Sequence, residues 1–129
     1  MALSMLGLGL HLWALYRPVG PPVLRWFPDA DKLAHAAGFA VPLLLILLTM
    51  SSRSRHLGQA ISFRWLVITV GLFAGHALLS EWIQHRFYDQ RSGDPLDVLA
   101  DWLGCVLGVL VYRMIIRRAG VRQVEAGAA

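Results

Sequence analysis

Three stretches of this chain, roughly Lys32–Met50, Phe63–Gln84 and Leu96–Ile116, are apolar almost throughout. Each is about as long as an α-helix must be, some 20 residues, to cross about 30 Å of hydrocarbon. Inside hydrocarbon the backbone has no water to bond, so a run of this length is stable there only as a helix that satisfies its own N–H and C=O groups. Composition agrees: 57% of residues are hydrophobic, 16% are charged, and the mean hydropathy is +0.55. A soluble domain of 129 residues would be less apolar. A fourth apolar run, Ala2–Tyr16, is shorter. No basic region precedes it and no A-x-A-like site follows it, so it reads as a short or tilted first span, not a signal peptide. The expectation is an all-α integral membrane bundle of four transmembrane helices over residues 1–118, with a flexible tail at 119–129.

The charges set the orientation. Arg53, Arg55, Arg64, Arg113, Arg117, Arg118 and Arg122 lie on one side of the spans against Glu125 alone, a net of +6. On the other side Arg17, Arg25, Lys32, Arg86 and Arg91 face Asp29, Asp31, Glu81, Asp89, Asp94, Asp97 and Asp101, a net of −2. The positive side should be cytoplasmic, which puts both termini inside and the acidic loops outside. The overall charge of +4 is thus a topology signal and calls for no nucleic acid. Trp26 and Phe27, in the Pro-rich segment 17–31, suit a membrane interface. Cys105 is the lone cysteine and so forms no internal disulfide.

The acids gather where three helix ends should meet. Asp31 and His35 are spaced i, i+4 on the second span, with Gly38 and Pro42 continuing that face. Glu81 and Gln84 share a face of the third, continued by Gly71, Ala74 and Ala77. Asp94, Asp97 and Asp101 run i, i+3, i+7 down the fourth, followed by Gly104, Cys105 and Gly108. Small residues let membrane helices approach closely, and Gly104–Gly108 is a G-x-x-x-G. The three stripes should therefore face one another, with a polar cluster above a packed junction of Gly38, Gly104 and Gly108.

Part of this pattern needs only structural chemistry. "SGDPLD" starts a helix, with Asp94 as N-cap and Pro95 at the first helical position. Asp29 or Asp31 would cap the second span in the same way, and Asp89 is a solvated loop acid. Glu81 and Asp101 are different. Asp101 lies about 10 Å down the helix from Asp94, at about 1.5 Å per residue. A charge at that depth needs a partner or a wet cavity and is a functional candidate by default. No G-x-S-x-G, P-loop, H-E-x-x-H or cysteine metal pattern is present. Carboxylates such as Glu81, Asp97 and Asp101 could hold Mg²⁺ or Ca²⁺, and an Asp/His/Glu set could hold Zn²⁺. Spacing alone makes either the minor reading, so no cofactor is expected beyond a possible divalent cation. Of the remaining histidines, His76 reads as a hydrogen-bonded packing residue, and His11 and His85 fit no pattern. Trp82, Trp102, Phe87 and Tyr88 read as interface aromatics.

"DKLAHAAGF", then "EWIQ", then "RSGDPLDVLADWLG" resembles the VanZ-like family of small bacterial membrane proteins. The matching positions are Asp31, Lys32, His35, Glu81, Gln84, Arg91, Asp97, Asp101 and Gly104, within a span of about Asp31–Gly108. Many members carry Asn where this chain has Asp101. The resemblance implies a multi-pass protein of the bacterial inner membrane. The family's founding member is linked to teicoplanin resistance, which does not make this chain a resistance protein. The resemblance carries over no catalytic residue.

The leading expectation is a protein whose outward cluster of Asp31, Lys32, His35, Glu81, Gln84, Arg91, Asp97 and Asp101 binds a cell-envelope amphiphile: a lipid headgroup, a lipid-linked sugar or a lipoglycopeptide. Lys32 and Arg91 would meet its phosphate or carboxylate, Arg by a bidentate fork. The alternative is a membrane-embedded hydrolase or transferase acting on a lipid phosphate or ester, with His35 or Glu81 as general base. A proton or ion path through Glu81, Asp101 and His76 is disfavoured by the Gly, Ala and Cys below Asp101. A small structural subunit of a larger membrane complex is the further alternative.

Overall fold

A computed structural model describes residues 1–16, 30–56, 61–88 and 94–127, with backbone alone for 53–56 and 120–127. Four helices follow one another: α1 (Ala2–Tyr16), α2 (Ala30–His56), α3 (Phe63–Phe87) and α4 (Pro95–Gly127). Ala30–Ser52, Phe63–Phe87 and Pro95–Ala119 are long and apolar enough to cross a membrane, and α1 is a shorter apolar helix. The described residues form an all-helical membrane bundle. α4 continues to Gly127, past the boundary at 118 read from the sequence; residues 119–127 contain no proline, and Arg, Gln, Glu and Ala among them extend a helix readily.

Capping fixes the starts of α3 and α4, the second as the sequence suggested. Ser62 accepts from the Trp65 N–H at 3.5 Å at the head of α3. At the head of α4, Asp94 Oδ1 accepts from the Leu96 N–H at 2.9 Å, and Pro95 fills the position whose N–H would lack a partner. The end of α1 is finished from outside. Gln84 Nε2 donates to the Leu15 carbonyl at 3.3 Å and Tyr88 Oη to the Tyr16 carbonyl at 2.7 Å, satisfying two of the orphan acceptors of a helix end.

The bundle is organised around α2 and α4. Phe39, Leu43 and Leu47 on α2 are almost completely buried, while Leu72, Val106 and Leu110 face outward as expected of a lipid-facing surface. The helices touch backbone to backbone. A Cβ added at Gly104 would lie 2.2 Å from the Ala36 carbonyl oxygen, and one at Gly108 would lie 2.9 Å from that of Ala40. Gly104 and Gly108 are thus the close-approach residues, with Ala36 and Ala40 as their partners.

Two packing expectations need correction. A Cβ at Gly38 would meet nothing within 4 Å, so Gly38 is not a helix-packing glycine. Ala36 and Ala40 carry the face of α2 that meets α4, and Gly38 falls on another side, where it lines a small recess with His11 and Leu15 of α1. On α3, Ala77 is fully buried, but Gly71 also meets nothing within 4 Å. At its level α3 and α4 diverge around an apolar groove of about 570 Å³ that includes Gly71, Ala74, Trp102 and Cys105. Trp102 bridges this gap, its indole N–H donating to the Ala74 carbonyl at 3.1 Å. The convergence is therefore tight between α2 and α4 and looser at α3.

Candidate functional site

The Ala36–Gly104 contact fixes what lies beside it. His35 precedes Ala36 and Asp101 lies one turn before Gly104, so the closest approach of the two backbones brings these side chains together. His35 Nδ1 and Asp101 Oδ1 are 3.0 Å apart. Glu81 reaches the same nitrogen from α3, its Oε1 at 4.0 Å. On the other edge of the ring, His35 Nε2 faces Asp97 Oδ2 at 3.8 Å. One imidazole thus stands among three carboxylates drawn from two other helices.

Lys32, one turn above His35, closes the cluster towards the helix ends. Its Nζ lies 3.7 Å from Asp31, 3.5 Å from Asp94 and 3.6 Å from Asp97. The Asp94 backbone N–H donates to Glu81 Oε2 at 3.1 Å, so the cap of α4 also holds α3 in place. Exposure falls steadily with depth. The side chains of Asp31 and Asp94 are 53% and 39% exposed, Lys32 24%, Asp97 13%, His35 11%, Glu81 7% and Asp101 0%. The cluster is graded like a funnel, its side chains exposed at the helix ends and buried at Asp101.

The acids outnumber their partners. Asp31, Glu81, Asp94, Asp97 and Asp101 surround Lys32 and His35. Among the described residues, Glu81 Oε1, Asp97 Oδ1 and Asp101 Oδ2 are buried without a hydrogen-bond partner. Unsatisfied buried oxygens are uncommon, because each forgoes the solvation it had in water. Such a site suits cations, amines and hydroxyl groups better than anions.

Of the residues singled out from the sequence, Asp31, Lys32, His35, Glu81, Asp97 and Asp101 are brought together. Gln84 is buried one turn from Glu81 but turns to α1, where it caps the helix end. Arg91, Asp29 and Asp89 lie outside the described residues. Asp94 is both the expected cap and a rim acid.

A second, partly buried polar cluster had no signature in the sequence. His11 Nε2 lies 3.4 Å from His76 Nδ1, whose Nε2 is 3.0 Å from the Tyr16 hydroxyl. Phe39 and Phe73 flank His11. His76 is the hydrogen-bonded packing histidine expected, whereas His11 and Tyr16 come to it across 65 and 60 residues of chain, beyond the reach of any local pattern.

The family model described as VanZ/LLP1 matches residues 8–117, a stretch that runs from α1 into α4 and includes every described member of the funnel. Searches of curated proteins and of solved structures found no match.

Proposed function

We propose a function on one premise: the chain belongs to the VanZ/LLP1 family. In this reading it is a membrane protein of the bacterial inner membrane that binds the polar head of a cell-envelope amphiphile in the funnel formed by α2, α3 and α4. The observation that carries the reading is the graded funnel itself, exposed at the helix ends and buried at Asp101, in the wall of a bundle whose outer surface is apolar. A headgroup entering at the rim would keep its acyl chains against that surface. The charge split of the loops turns the rim away from the cytoplasm and both termini towards it.

The acid excess narrows the headgroup. Lys32 already faces three carboxylates, so it is a poor sole receptor for phosphate. Amines and sugar hydroxyls, as in a lipid-linked sugar or a lipoglycopeptide, can donate to the unpartnered oxygens of Glu81 and Asp97. A hydrolase at the same place is the second reading, favoured by the His35–Asp101 bond, which would orient an imidazole base. Against it, both ring nitrogens face carboxylates, leaving neither directed at a substrate.

The test is native mass spectrometry of protein extracted in mild detergent from an envelope-lipid-rich host. The expected result is a retained adduct with an amine or sugar headgroup, lost in Glu81→Gln and Asp97→Asn. Identical adducts on wild type and both variants would mean that lipid merely coats the apolar belt, and would overturn the reading.

A further inference from the structure

We propose that the floor of the funnel is a divalent transition-metal site, with His35, Glu81 and Asp101 as ligands and Zn²⁺ as the best-fitting ion. The inference goes beyond the amphiphile reading and stands without it. It begins from geometry: one ligand atom from each of the three residues can be chosen so that all lie within 4.8 Å of one another. Ligand atoms about 2.0–2.2 Å from a common tetrahedral Zn²⁺ stand about 3.4 Å apart, so the three must draw together slightly on binding. His35 Nδ1 already has Asp101 Oδ1 at 3.0 Å and Glu81 Oε1 at 4.0 Å, so Glu81 needs only a small movement to join.

The unpartnered oxygens supply the second observation. Asp101 is completely buried and its Oδ2 has no hydrogen-bond partner among the described residues; Glu81, also buried, has the same deficiency at Oε1. A proton on His35 Nδ1 can serve Asp101 but leaves Glu81 Oε1 unsatisfied. The Lys32 ammonium pairs with Asp31, Asp94 and Asp97, nearer the helix ends. A divalent cation among the three residues would meet Glu81 and Asp101 together and offset two buried negative charges, whose burial is otherwise costly.

The surroundings fit a metal-bound imidazole. With Nδ1 on the ion, His35 Nε2–H would point towards Asp97 Oδ2, now 3.8 Å away. A carboxylate behind a ligating histidine fixes its tautomer and orientation. The Asp94 N–H holds the other oxygen of Glu81 at 3.1 Å. One nitrogen and two carboxylates favour Zn²⁺ and its first-row neighbours over Mg²⁺ or Ca²⁺, which prefer all-oxygen sites. With three protein ligands, a fourth position would remain for water or a headgroup oxygen.

The experiment uses the full chain in detergent, stripped with a chelator and titrated with Zn²⁺ and, separately, Co²⁺. One ion per chain should bind, and X-ray absorption of the Zn²⁺ form should show nitrogen and oxygen neighbours without sulfur. His35→Ala and Asp101→Ala should lose stoichiometric binding. Asp97→Asn should retain it with affinity about 10–100-fold weaker, the usual effect of disturbing a ligand's supporting carboxylate. His85→Ala, removing an exposed histidine at the end of α3, should bind like wild type. Failure of the wild-type chain to bind one Zn²⁺, or binding that survives in folded His35→Ala protein, would overturn the site. Should the variants not fold, sulfur or an all-oxygen shell in the wild-type absorption spectrum would do the same. Absence of any amphiphile adduct on wild-type protein that binds the metal would count against the proposed function alone.

Discussion

Gly104→Ala should destabilise the detergent-solubilised protein more than any other single methyl addition along α4. The added carbon would stand 2.2 Å from the Ala36 carbonyl oxygen and 2.9 Å from its carbonyl carbon. Both are backbone atoms of a helix, so no side chain can rotate away, and α2 and α4 must separate. Overpacking a well-packed core typically costs about 1–3 kcal/mol and occasionally more; a backbone clash of this kind belongs at the upper end. Gly108→Ala, with 2.9 Å to the Ala40 oxygen, should follow in the same direction with a smaller effect. Leu103→Ala removes a side chain that is 56% exposed on the outer face and should change little. Gly38→Ala, which meets nothing within 4 Å, is the internal control. Thermal unfolding in one detergent measures all four. Equal midpoints for Gly104→Ala and Gly38→Ala would mean that α2 and α4 do not meet through Gly104. The same substitution should also draw His35 from Asp101, because the glycine contact is what holds them together.

Most of the bundle is readable from local pattern. Hydrophobic length marks the three long helices, Asp94–Pro95 marks the start of α4, and the i, i+3, i+7 run of acids above Gly104 and Gly108 marks its inward face. These signals need only neighbours in sequence. Which face of α2 meets α4 was less legible. Gly38 is the conspicuous small residue, yet Ala36 and Ala40 make the contact, because alanine is small enough and sits in the register set by Gly104 and Gly108. The looseness of α3 was not legible either, since Gly71 and Ala74 promise close packing and instead border a groove. Gln84 shows the same limit at the site. Its spacing from Glu81 places it on one face, but the open carbonyl of Leu15, 69 residues away, decides where its amide points. Helix-end acceptors supplied by another helix leave no mark in the local sequence.

The second large effect concerns His35 and Asp101, and it separates a held pair from a coincidence of position. In chelator-treated protein, His35→Leu should be the most destabilising change in the funnel. It would leave Asp101, fully buried, with neither oxygen partnered among the described residues. Breaking a buried pair by removing one partner costs about 3–5 kcal/mol, because the remaining charge is uncompensated. Asp101→Leu should cost less. The imidazole it leaves can be neutral, and Glu81 stands 4.0 Å away as another partner. Asp101→Asn should be milder still, since the amide oxygen can accept from His35 where Oδ1 now does. The double variant His35→Leu/Asp101→Leu should recover much of what His35→Leu loses, because a well-packed apolar replacement of a buried pair is often neutral or stabilising. The expected signature in reversible unfolding is therefore strong non-additivity, with the double variant more stable than the worse single variant. Additive losses would show that the two side chains do not interact. A His35→Leu change as mild as Asp101→Asn would show that Asp101 is not held as a buried anion, and the acid excess that motivates both the headgroup and the metal would then have to be reassessed.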